Sequence, residues 1–326
     1  MPQKRKNNQD LVIKIKRASL FLLCLSFFFI PGQNWYESLQ SNPFLPKTDS
    51  SNLLLPQLAD YPIKTGDLPL PNLTAKSVVI LDRDSSVLIY NLDEKIRLFP
   101  ASTVKIMTAL VALDYYDLDD VLTINRIDDN GQDMELQEGE QITVRNLLYG
   151  VLVSSANDAA LALANGYLGG EENFVEAMNQ KAFDLKLNDT FFANPTGLDS
   201  DKEGNLLVNY SYSTSLDLAR LAAVALKNSE IVKIVSLPFI QVKDVTGEIT
   251  HDLYSINELL NQLPGMKGLK TGWTEEAGEC LVGYMERDGH GLITVILGSE
   301  DRFGETKSLV EWVFKTHQWQ KVIPSI

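Results

Sequence analysis

The alternation of apolar and polar residues predicts a strand-rich beginning, a helical middle and a strand-rich end for the folded part of the chain. Residues 77–81 and 87–91 are β-rich runs around a polar turn and predict a hairpin. Residues 279–285 and 291–298 flank an Asp-Gly turn and predict a second hairpin. We therefore expect the two hairpins, which lie far apart in sequence, to form one antiparallel sheet.

The residues between the hairpins show the three- and four-residue apolar spacing of amphipathic helices. Helical patterns cover residues 102–116, 143–168, 171–187 and 213–228, and a closing amphipathic helix covers 304–317. The pattern thus predicts a mixed α and β fold, with an antiparallel sheet flanked by helices and a mostly helical lobe beside it. A functional site is expected in the cleft between sheet and lobe.

The N-terminal part of the chain has the pattern of an export segment. Residues 1–17 contain six Lys or Arg residues and one Asp, and the apolar run 18–30 follows. This pattern indicates a secretion signal or a membrane anchor whose basic end, 1–17, stays in the cytoplasm. No small-x-small cleavage site follows the run, which favours an uncleaved anchor. Residues 31–75 are rich in proline and predict a linker, and residues 76–326 form the predicted domain.

We therefore expect the domain on the extracytoplasmic face of the membrane, or secreted if the signal is cleaved. The whole chain of 326 residues carries a net charge of −14, and this acidity argues against a nucleic acid as partner. Cys24 and Cys280 provide no disulfide framework. His251, His290 and His317 lack the spacing of zinc ligands, so we expect surface histidines, no metal site and no cofactor.

The first candidate for chemistry is the pair Ser102 and Lys105, three residues apart at the start of a predicted helix. A serine hydroxyl needs a base, and a lysine can be that base if burial or a second cation lowers its pKa. The amides of the helix N-terminus would stabilise negative charge on a reacting oxygen. The alternative is structural, with Ser102 as a helix N-cap and Lys105 as a solvated residue of the first turn.

Two further short motifs follow in the chain. Ser155 and Asn157 form Ser-x-Asn at a predicted loop-to-helix junction, and 270–272 form Lys-Thr-Gly leading into a predicted strand. Each motif also has a structural explanation, an N-cap serine for the first and a basic strand edge for the second. Lys-Thr-Gly occurs again at 64–66, in the predicted linker, where we treat it as coincidence.

Ser-x-x-Lys, Ser-x-Asn and Lys-Thr-Gly in this order form the motif set of penicillin-binding proteins and serine β-lactamases. Residues 77 to about 316 resemble the D-alanyl-D-alanine carboxypeptidases, the low-molecular-mass penicillin-binding proteins. Segments such as "PASTVKIMTALVAL" and "GLKTGWTEEAGECLVGYMERDGHGLITVILGS" carry the resemblance beyond the motifs. The resemblance implies a DD-peptidase and β-lactamase-like fold, with 76–326 as the catalytic domain.

The resemblance also implies roles for individual residues. Ser102 would be the acylated nucleophile and Lys105 its general base. Ser155 would relay a proton to the leaving amine, and Asn157 would orient the substrate amide. The remaining implied residues bind substrate: Lys270, Thr271 and Arg302 at the terminal carboxylate, Gly272 where a peptide pairs beside the strand, and Trp273, whose amide joins that of Ser102 in an oxyanion hole.

The implied reaction is hydrolysis of the terminal D-Ala-D-Ala bond of a peptidoglycan stem peptide through an acyl-enzyme, with β-lactams acylating the same serine as inhibitors. A D,D-endopeptidase acting on cross-links would use the same residues. A β-lactamase would need a deacylating glutamate, and Glu258 in "NELLN" has unsuitable spacing. The alternative without enzymatic activity is a wall-binding or penicillin-sensing module.

Overall fold

The computed structural model describes residues 60–125, 131–198 and 210–321. The predicted cytoplasmic segment 1–17, the predicted anchor 18–30 and most of the predicted linker lie outside these residues. Within the described ranges, no helix has both the length and the apolar composition that crossing a membrane would require.

The described residues form these strands, in chain order: β1 (Tyr61–Lys64), β2 (Ser77–Asp82), β3 (Leu88–Leu92), β4 (Val121–Thr123), β5 (Gln141–Thr143), β6 (Phe239–Lys243), β7 (Thr250–Tyr254), β8 (Met266–Thr274), β9 (Gly278–Arg287), β10 (His290–Ser299) and β11 (His317–Gln320). The α-helices are α1 (Lys105–Tyr115), α2 (Val144–Tyr149), α3 (Asn157–Gly166), α4 (Gly170–Asp184), α5 (Ser215–Ala225), α6 (Ser229–Val235), α7 (Leu259–Gln262) and α8 (Arg302–Thr316).

One five-stranded antiparallel sheet forms the frame of the molecule. Its strand order is β3-β2-β10-β9-β8, so strands from both parts of the chain meet at the β2–β10 pair. This arrangement confirms the predicted single sheet and both predicted hairpins. Strand β8 lies at one edge of the sheet and faces the helical lobe through the turn that begins α1.

The sheet is covered on both faces, which explains why its strands are apolar without alternation. Val78 and Ile80 of β2 pack in the cluster that contains Leu309 and Val313 of α8. Val79, between them, points to the opposite face and packs in the larger cluster of the helical lobe. Hydrophobic burial on both faces therefore fixes the register of β2 within the sheet.

Helix α1 is the centre of the helical lobe. Its residues from Lys105 to Ala112 are all buried, and it contacts α3, α4 and α5. A helix surrounded on all sides has no polar face, so its first residue enters the interior although it is a lysine. The structural alternative for Lys105, a solvated side chain, is therefore wrong.

Three two-stranded pairs at the periphery, β1–β11, β4–β5 and β6–β7, were not predicted from the sequence pattern. Strand β1 lies within the predicted linker and pairs with β11. The amides of Thr65 and Gly66 donate to the carbonyl oxygen of Thr316, at 2.7 and 3.1 Å. The Trp312 indole donates to the Leu68 carbonyl oxygen at 3.0 Å. Residues 61–68 thus pack against α8 and β11.

The expectation of surface histidines is wrong for His251 and His317, which are both buried. His317 lies at the start of β11, with its Nδ1 2.9 Å from the Thr316 hydroxyl. A polar ring enters the interior at little cost when its nitrogens find hydrogen-bond partners there. Sequence alone did not reveal these partners, because those of His251 come from a distant part of the chain.

Candidate active site

Ser102 and Lys105 are brought together by a change of helix type. Residues Ala101–Val104 form a 3₁₀ turn after Pro100, and α1 continues from it. In a 3₁₀ helix residues three apart stand one above the other, which aligns the serine with the lysine. Ser102 makes no N-cap hydrogen bond to α1. The structural alternative for the serine is therefore wrong as well.

The Lys105 ammonium group contacts three oxygen atoms. Its Nζ lies 3.0 Å from Ser102 Oγ, 2.7 Å from Asn157 Oδ1 and 2.7 Å from the carbonyl oxygen of Thr196. The amide and carbonyl oxygens only accept hydrogen bonds. When the amine is neutral, its two N–H bonds satisfy these two acceptors, and its lone pair is left facing the Ser102 hydroxyl. This geometry suits a base that takes the serine proton.

The pKa of Lys105 matches that role. Burial lowers the pKa to about 7, against an ordinary value of 10.5, while the carboxylates of Asp133 and Asp158 partly oppose the shift. The sequence analysis offered burial or a second cation as the cause, and burial is the main one. Near neutral pH a large fraction of the amine is thus unprotonated.

Ser155 owes its position to a break between two helical segments. A π-helical turn, Gly150–Ser154, follows α2, and Ser155 then adopts a left-handed backbone conformation with φ of 65°. Helix α3 begins two residues later at Asn157. The break brings the Ser155 hydroxyl to 2.8 Å from Lys270 Nζ. The predicted loop-to-helix junction is confirmed, and it joins the second motif to the third.

Lys270 lies in the middle of β8, not before it, and is also buried. Its Nζ donates to Ser155 Oγ and to the carbonyl oxygen of Thr271, both at 2.8 Å. Its pKa lies well below the usual range, first because of burial and then because of repulsion by Lys105 and Arg302. The two lysines therefore compete for protons across the site.

Unused donors mark one end of the site. The Thr271 hydroxyl and the Arg302 Nε are buried and have no hydrogen-bond partner among the described residues. Arg302 is held by its Nη1, which donates to the Gly272 carbonyl oxygen at 2.9 Å. Buried donors without partners are costly, and an anionic ligand would satisfy them with charge-assisted hydrogen bonds.

Two glycines allow the backbone to close around the nucleophile. A Cβ at Gly272 would lie 2.8 Å from the Ser102 nitrogen, and a Cβ at Gly197 would lie 2.1 Å from the Ala101 carbonyl oxygen. Neither distance is compatible with a side chain, and Gly197 also has a positive φ of 82°. The sequence analysis named Gly272 but missed Gly197, because the need for it arises only from a segment about 95 residues away.

A cavity of about 590 Å³ joins these groups. It is lined by seven of the predicted residues: Ser102, Ser155, Asn157, Thr271, Gly272, Trp273 and Arg302. The two lysines lie beneath it, bonded to the two serines. The sequence analysis did not identify the remaining lining residues: Gly131, Gln132, Leu198, Ile256, Thr274, Glu275 and Glu276. The volume is in the range of small-molecule sites.

Glu258 and the Lys-Thr-Gly motif at 64–66 do not line this cavity. Glu258 is exposed and accepts a hydrogen bond from the Gln262 side chain at 3.3 Å. In the Lys-Thr-Gly motif at 64–66, Lys64 is the last residue of β1, and the amides of Thr65 and Gly66 donate to the Thr316 carbonyl oxygen. Order along the chain thus selected the correct copy of the motif.

Comparison with known proteins agrees with this geometry. The profile of the D-alanyl-D-alanine carboxypeptidase family matches residues 64–301. D-alanyl-D-alanine carboxypeptidase DacF of Bacillus subtilis is 33% identical over 257 residues, which cover 75% of this chain and 63% of that protein. D-alanyl-D-alanine carboxypeptidase DacB2 of Mycobacterium tuberculosis is 31% identical over 257 residues, which cover 76% of this chain and 85% of that protein. The match thus spans less than two thirds of the Bacillus protein.

Among solved structures, a D-alanyl-D-alanine carboxypeptidase from Mycobacterium tuberculosis superposes with a TM-score of 0.71 at 29% identity. The superposition covers 81% of this chain and 99% of that one. The fold class predicted from the sequence is therefore confirmed.

Proposed function

Because this chain belongs to the D-alanyl-D-alanine carboxypeptidase family, we propose that it hydrolyses the terminal D-Ala-D-Ala bond of peptidoglycan stem peptides through an acyl-enzyme on Ser102. The observation that carries the proposal is the buried Lys105 amine, 3.0 Å from Ser102 Oγ and with a pKa of about 7. A lysine that is half neutral at neutral pH and aimed at a serine hydroxyl is a general base for acyl transfer.

Acylation begins when the neutral Lys105 amine accepts the Ser102 proton. The serine oxygen then attacks the carbonyl carbon of the penultimate D-alanine, and the amides of Ser102 and Trp273 donate to the oxyanion. The C–N bond breaks as Ser155 gives a proton to the departing nitrogen. Lys270, at 2.8 Å, replaces the proton of Ser155. The leaving D-alanine thus takes one proton from the Ser155–Lys270 pair. The proton that Lys105 accepted from Ser102 replaces it.

Deacylation consumes one water molecule. A water gives a proton to neutral Lys105 and attacks the ester carbon, the C–O bond to Ser102 breaks, and the serine oxygen recovers a proton from the lysine. The products are the shortened stem peptide and free D-alanine. A β-lactam would acylate Ser102 in the same way, but its leaving group stays attached to the acyl-enzyme through the opened ring.

Recognition of the terminal carboxylate is assigned to the unused donors. Thr271 and Arg302 both line the cavity, and the Arg302 charge is near enough to Lys270 to lower its pKa. A free carboxylate there would accept from donors that otherwise lack partners, and it would raise the pKa of Lys270. This preference for a free C-terminus is what a carboxypeptidase needs.

The direct test uses the full-length chain in detergent, with a fluorescent penicillin and a peptide ending in D-Ala-D-Ala. The parent should take up a slowly decaying label and release D-alanine. Ser102→Ala should do neither, with a loss on the order of 10⁶ in turnover if the groups act as one unit. Ser236→Ala, on an exposed turn, is the matched control. An unlabelled, correctly folded parent would contradict the proposal.

The same assay separates the alternatives. An endopeptidase would take up label but cleave a cross-linked D,D-peptide in preference to the linear one. A β-lactamase would lose its label rapidly, and the exposed position of Glu258 argues against that activity. A sensing module would be labelled without turning over either peptide. A module that only bound the wall would need neither a nucleophile nor a neutral amine beside it, so it would take up no label.

We also propose that the domain acts on the extracytoplasmic face of the membrane, tethered by residues 18–30. The support is the sequence pattern alone, a basic segment followed by an apolar run. Fractionation of cells that express the full chain should place it in the membrane and accessible to external protease. Recovery in the cytoplasm would contradict the tether, and recovery in the medium would indicate cleavage.

A further inference from the structure

His251 is a buried titratable side chain that the proposed reaction does not use. It lies in β7, outside the cavity lining, and only 3% of its side chain is exposed. Its Nδ1 is 2.7 Å from the carbonyl oxygen of Met134, and its Nε2 is 2.8 Å from Glu140 Oε1. A carbonyl oxygen and a carboxylate oxygen both accept hydrogen bonds, so each ring nitrogen of His251 faces an acceptor.

Both oxygens of the Glu140 carboxylate have hydrogen-bond partners. Glu140 is buried, and while Oε1 bonds to His251, Oε2 accepts from the amide of Gln137 at 2.9 Å. Buried polar groups are stable only when they have hydrogen-bond partners, and both ring nitrogens and both Glu140 oxygens have one. The single imidazole thus binds positions 134 and 140 and closes the segment between them.

The segment is bonded in turn to the start of α3. The amides of Met134 and Leu136 each donate to the Asp158 carboxylate at 3.0 Å. Met134 therefore links two groups, since its N–H binds Asp158 and its carbonyl binds His251. Asp158 directly follows Asn157, whose side chain accepts from Lys105. Hydrogen bonds thus connect His251 of β7 to Met134, Met134 to Asp158, and Asn157, the residue before Asp158, to Lys105.

The same segment forms one wall of the cavity. Gly131 and Gln132 line it, and the Gln132 carbonyl oxygen accepts from the amide of Asn157 at 2.6 Å. Asp133 Oδ1 accepts from the amide of Asp158 at 3.1 Å. The carboxylates of Asp133 and Asp158 are also the charges that oppose the lowering of the Lys105 pKa. The segment therefore contributes to the shape of the cavity and to the electrostatic environment of Lys105.

We propose that His251 is a positioning residue for the reaction at Ser102: by hydrogen bonding to both Met134 and Glu140, it holds the 131–140 segment against α3 and so fixes Asn157 and one wall of the cavity. The inference rests on the acyl-enzyme chemistry proposed above. It assigns to the β6–β7 hairpin a function in catalysis without contact with the substrate.

Two amide substitutions separate the two hydrogen bonds. The Asn amide nitrogen occupies roughly the position of imidazole Nδ1, and that of Gln the position of Nε2. His251→Asn therefore keeps the donor to Met134, and His251→Gln keeps the donor to Glu140. His317→Gln, at a second buried histidine remote from the segment, is the matched control for the loss of an interior imidazole.

The measurement is the acylation rate constant of the full-length protein with a fluorescent penicillin, taken well below each variant's unfolding temperature. His251→Gln should lose about tenfold, because small misplacements of catalytic groups cost large factors in rate. His251→Asn should lose less, and His317→Gln should acylate like the parent. Parental rates in both His251 variants would overturn the inference.

The pH profile distinguishes positioning from mere stabilisation. If Asp133 and Asp158 move away from Lys105, its pKa falls, so the acidic limb of acylation in His251→Gln should shift to lower pH. A lower unfolding temperature with an unshifted profile and a parental rate would mean that His251 only stabilises the fold. A parent that is not acylated at all would refute the proposed function instead.

Discussion

Gly272 of β8 lies so close to the 3₁₀ turn that a Cβ at position 272 would lie 2.8 Å from the Ser102 nitrogen. The same Cβ would lie 2.9 Å from the Ala101 Cβ, so two backbone segments meet without room for a side chain. The contact sets the distance between the sheet edge and the 3₁₀ turn. It thereby fixes the position of the Ser102 amide relative to β8, the strand that also carries the Trp273 amide.

Gly272→Ala should therefore separate the strand from the turn by several tenths of an ångström. We expect the acylation rate constant to fall on the order of 100-fold, because the attacking oxygen and the oxyanion donors lose their mutual alignment. Stopped-flow labelling with a fluorescent penicillin measures this constant. Gly289→Ala lies in the β9–β10 turn, where a Cβ meets no atom within 4 Å; its φ of 82° is unfavourable for alanine, so this variant should lose some stability but retain the parental acylation rate. Equal rates in both variants would show that the close approach is not required.

Acylation should increase with pH through about 7, the pKa of Lys105. The base acts in its neutral form, which predominates above the pKa, so the rate constant is low in acid and levels off on the alkaline side. Rate constants measured over a series of buffers at constant ionic strength test this. Lys105→Ala should lose most of the rate at every pH. A parental profile that stays flat across neutral pH would argue against lysine as the base.

The same pKa predicts how stability depends on pH. Lys105 has a lower pKa in the folded chain than in the unfolded one, so unfolding takes up a proton between about pH 7 and the ordinary value of 10.5. The free energy of unfolding should therefore rise with pH in this interval, by roughly 5 kcal/mol from this residue. Lys270 acts in the same direction.

Denaturant titrations of the parent and of Lys105→Met at two pH values within that interval measure the effect. The methionine variant should show the smaller increase. If both proteins gain the same stability, the lysine amine is solvated in the folded chain and its burial is refuted.

Thr271→Val should weaken recognition of the terminal carboxylate. The hydroxyl lacks a partner in the free protein, so its removal leaves stability nearly unchanged, but it deletes a donor to a charged ligand. We expect KM for a D-Ala-D-Ala peptide to rise about tenfold. The same peptide with an amidated C-terminus is the control substrate, since it lacks the charge. An equal loss with both peptides would assign the hydroxyl a different role.

Local apolar patterns were sufficient to predict the long elements of the fold. Helix α8 repeats its apolar residues with the helical period, and the hairpins β2–β3 and β9–β10 are β-rich runs on either side of a short polar turn. The site was also largely predictable, because three short motifs bring most of the chemistry with them. Lys105 illustrates the limit of this approach, since its spacing from Ser102 was visible but its burial depends on the helices around α1.

What the sequence did not reveal depends on partners remote along the chain. Strand β1 is only four residues long, and its hydrogen bonds come from β11, which no local pattern connects with it. His251 shows no periodicity that distinguishes a buried ring from an exposed one, because its partners lie more than 100 residues away. Position 197 requires a glycine because its φ is positive and because the Ala101 carbonyl oxygen lies where a Cβ would be.

Helix α8 works as a spacer between two ends of the catalytic unit. It begins at Arg302 beside the cavity and, after 15 residues, leads directly into β11, which pairs with β1. At about 1.5 Å per residue, this places the β1–β11 ribbon roughly 20 Å along the helix from the cavity. Both ends of the folded unit therefore leave from the same ribbon. A tether, a tag or a fusion partner attached there would be separated from the cavity by the length of α8.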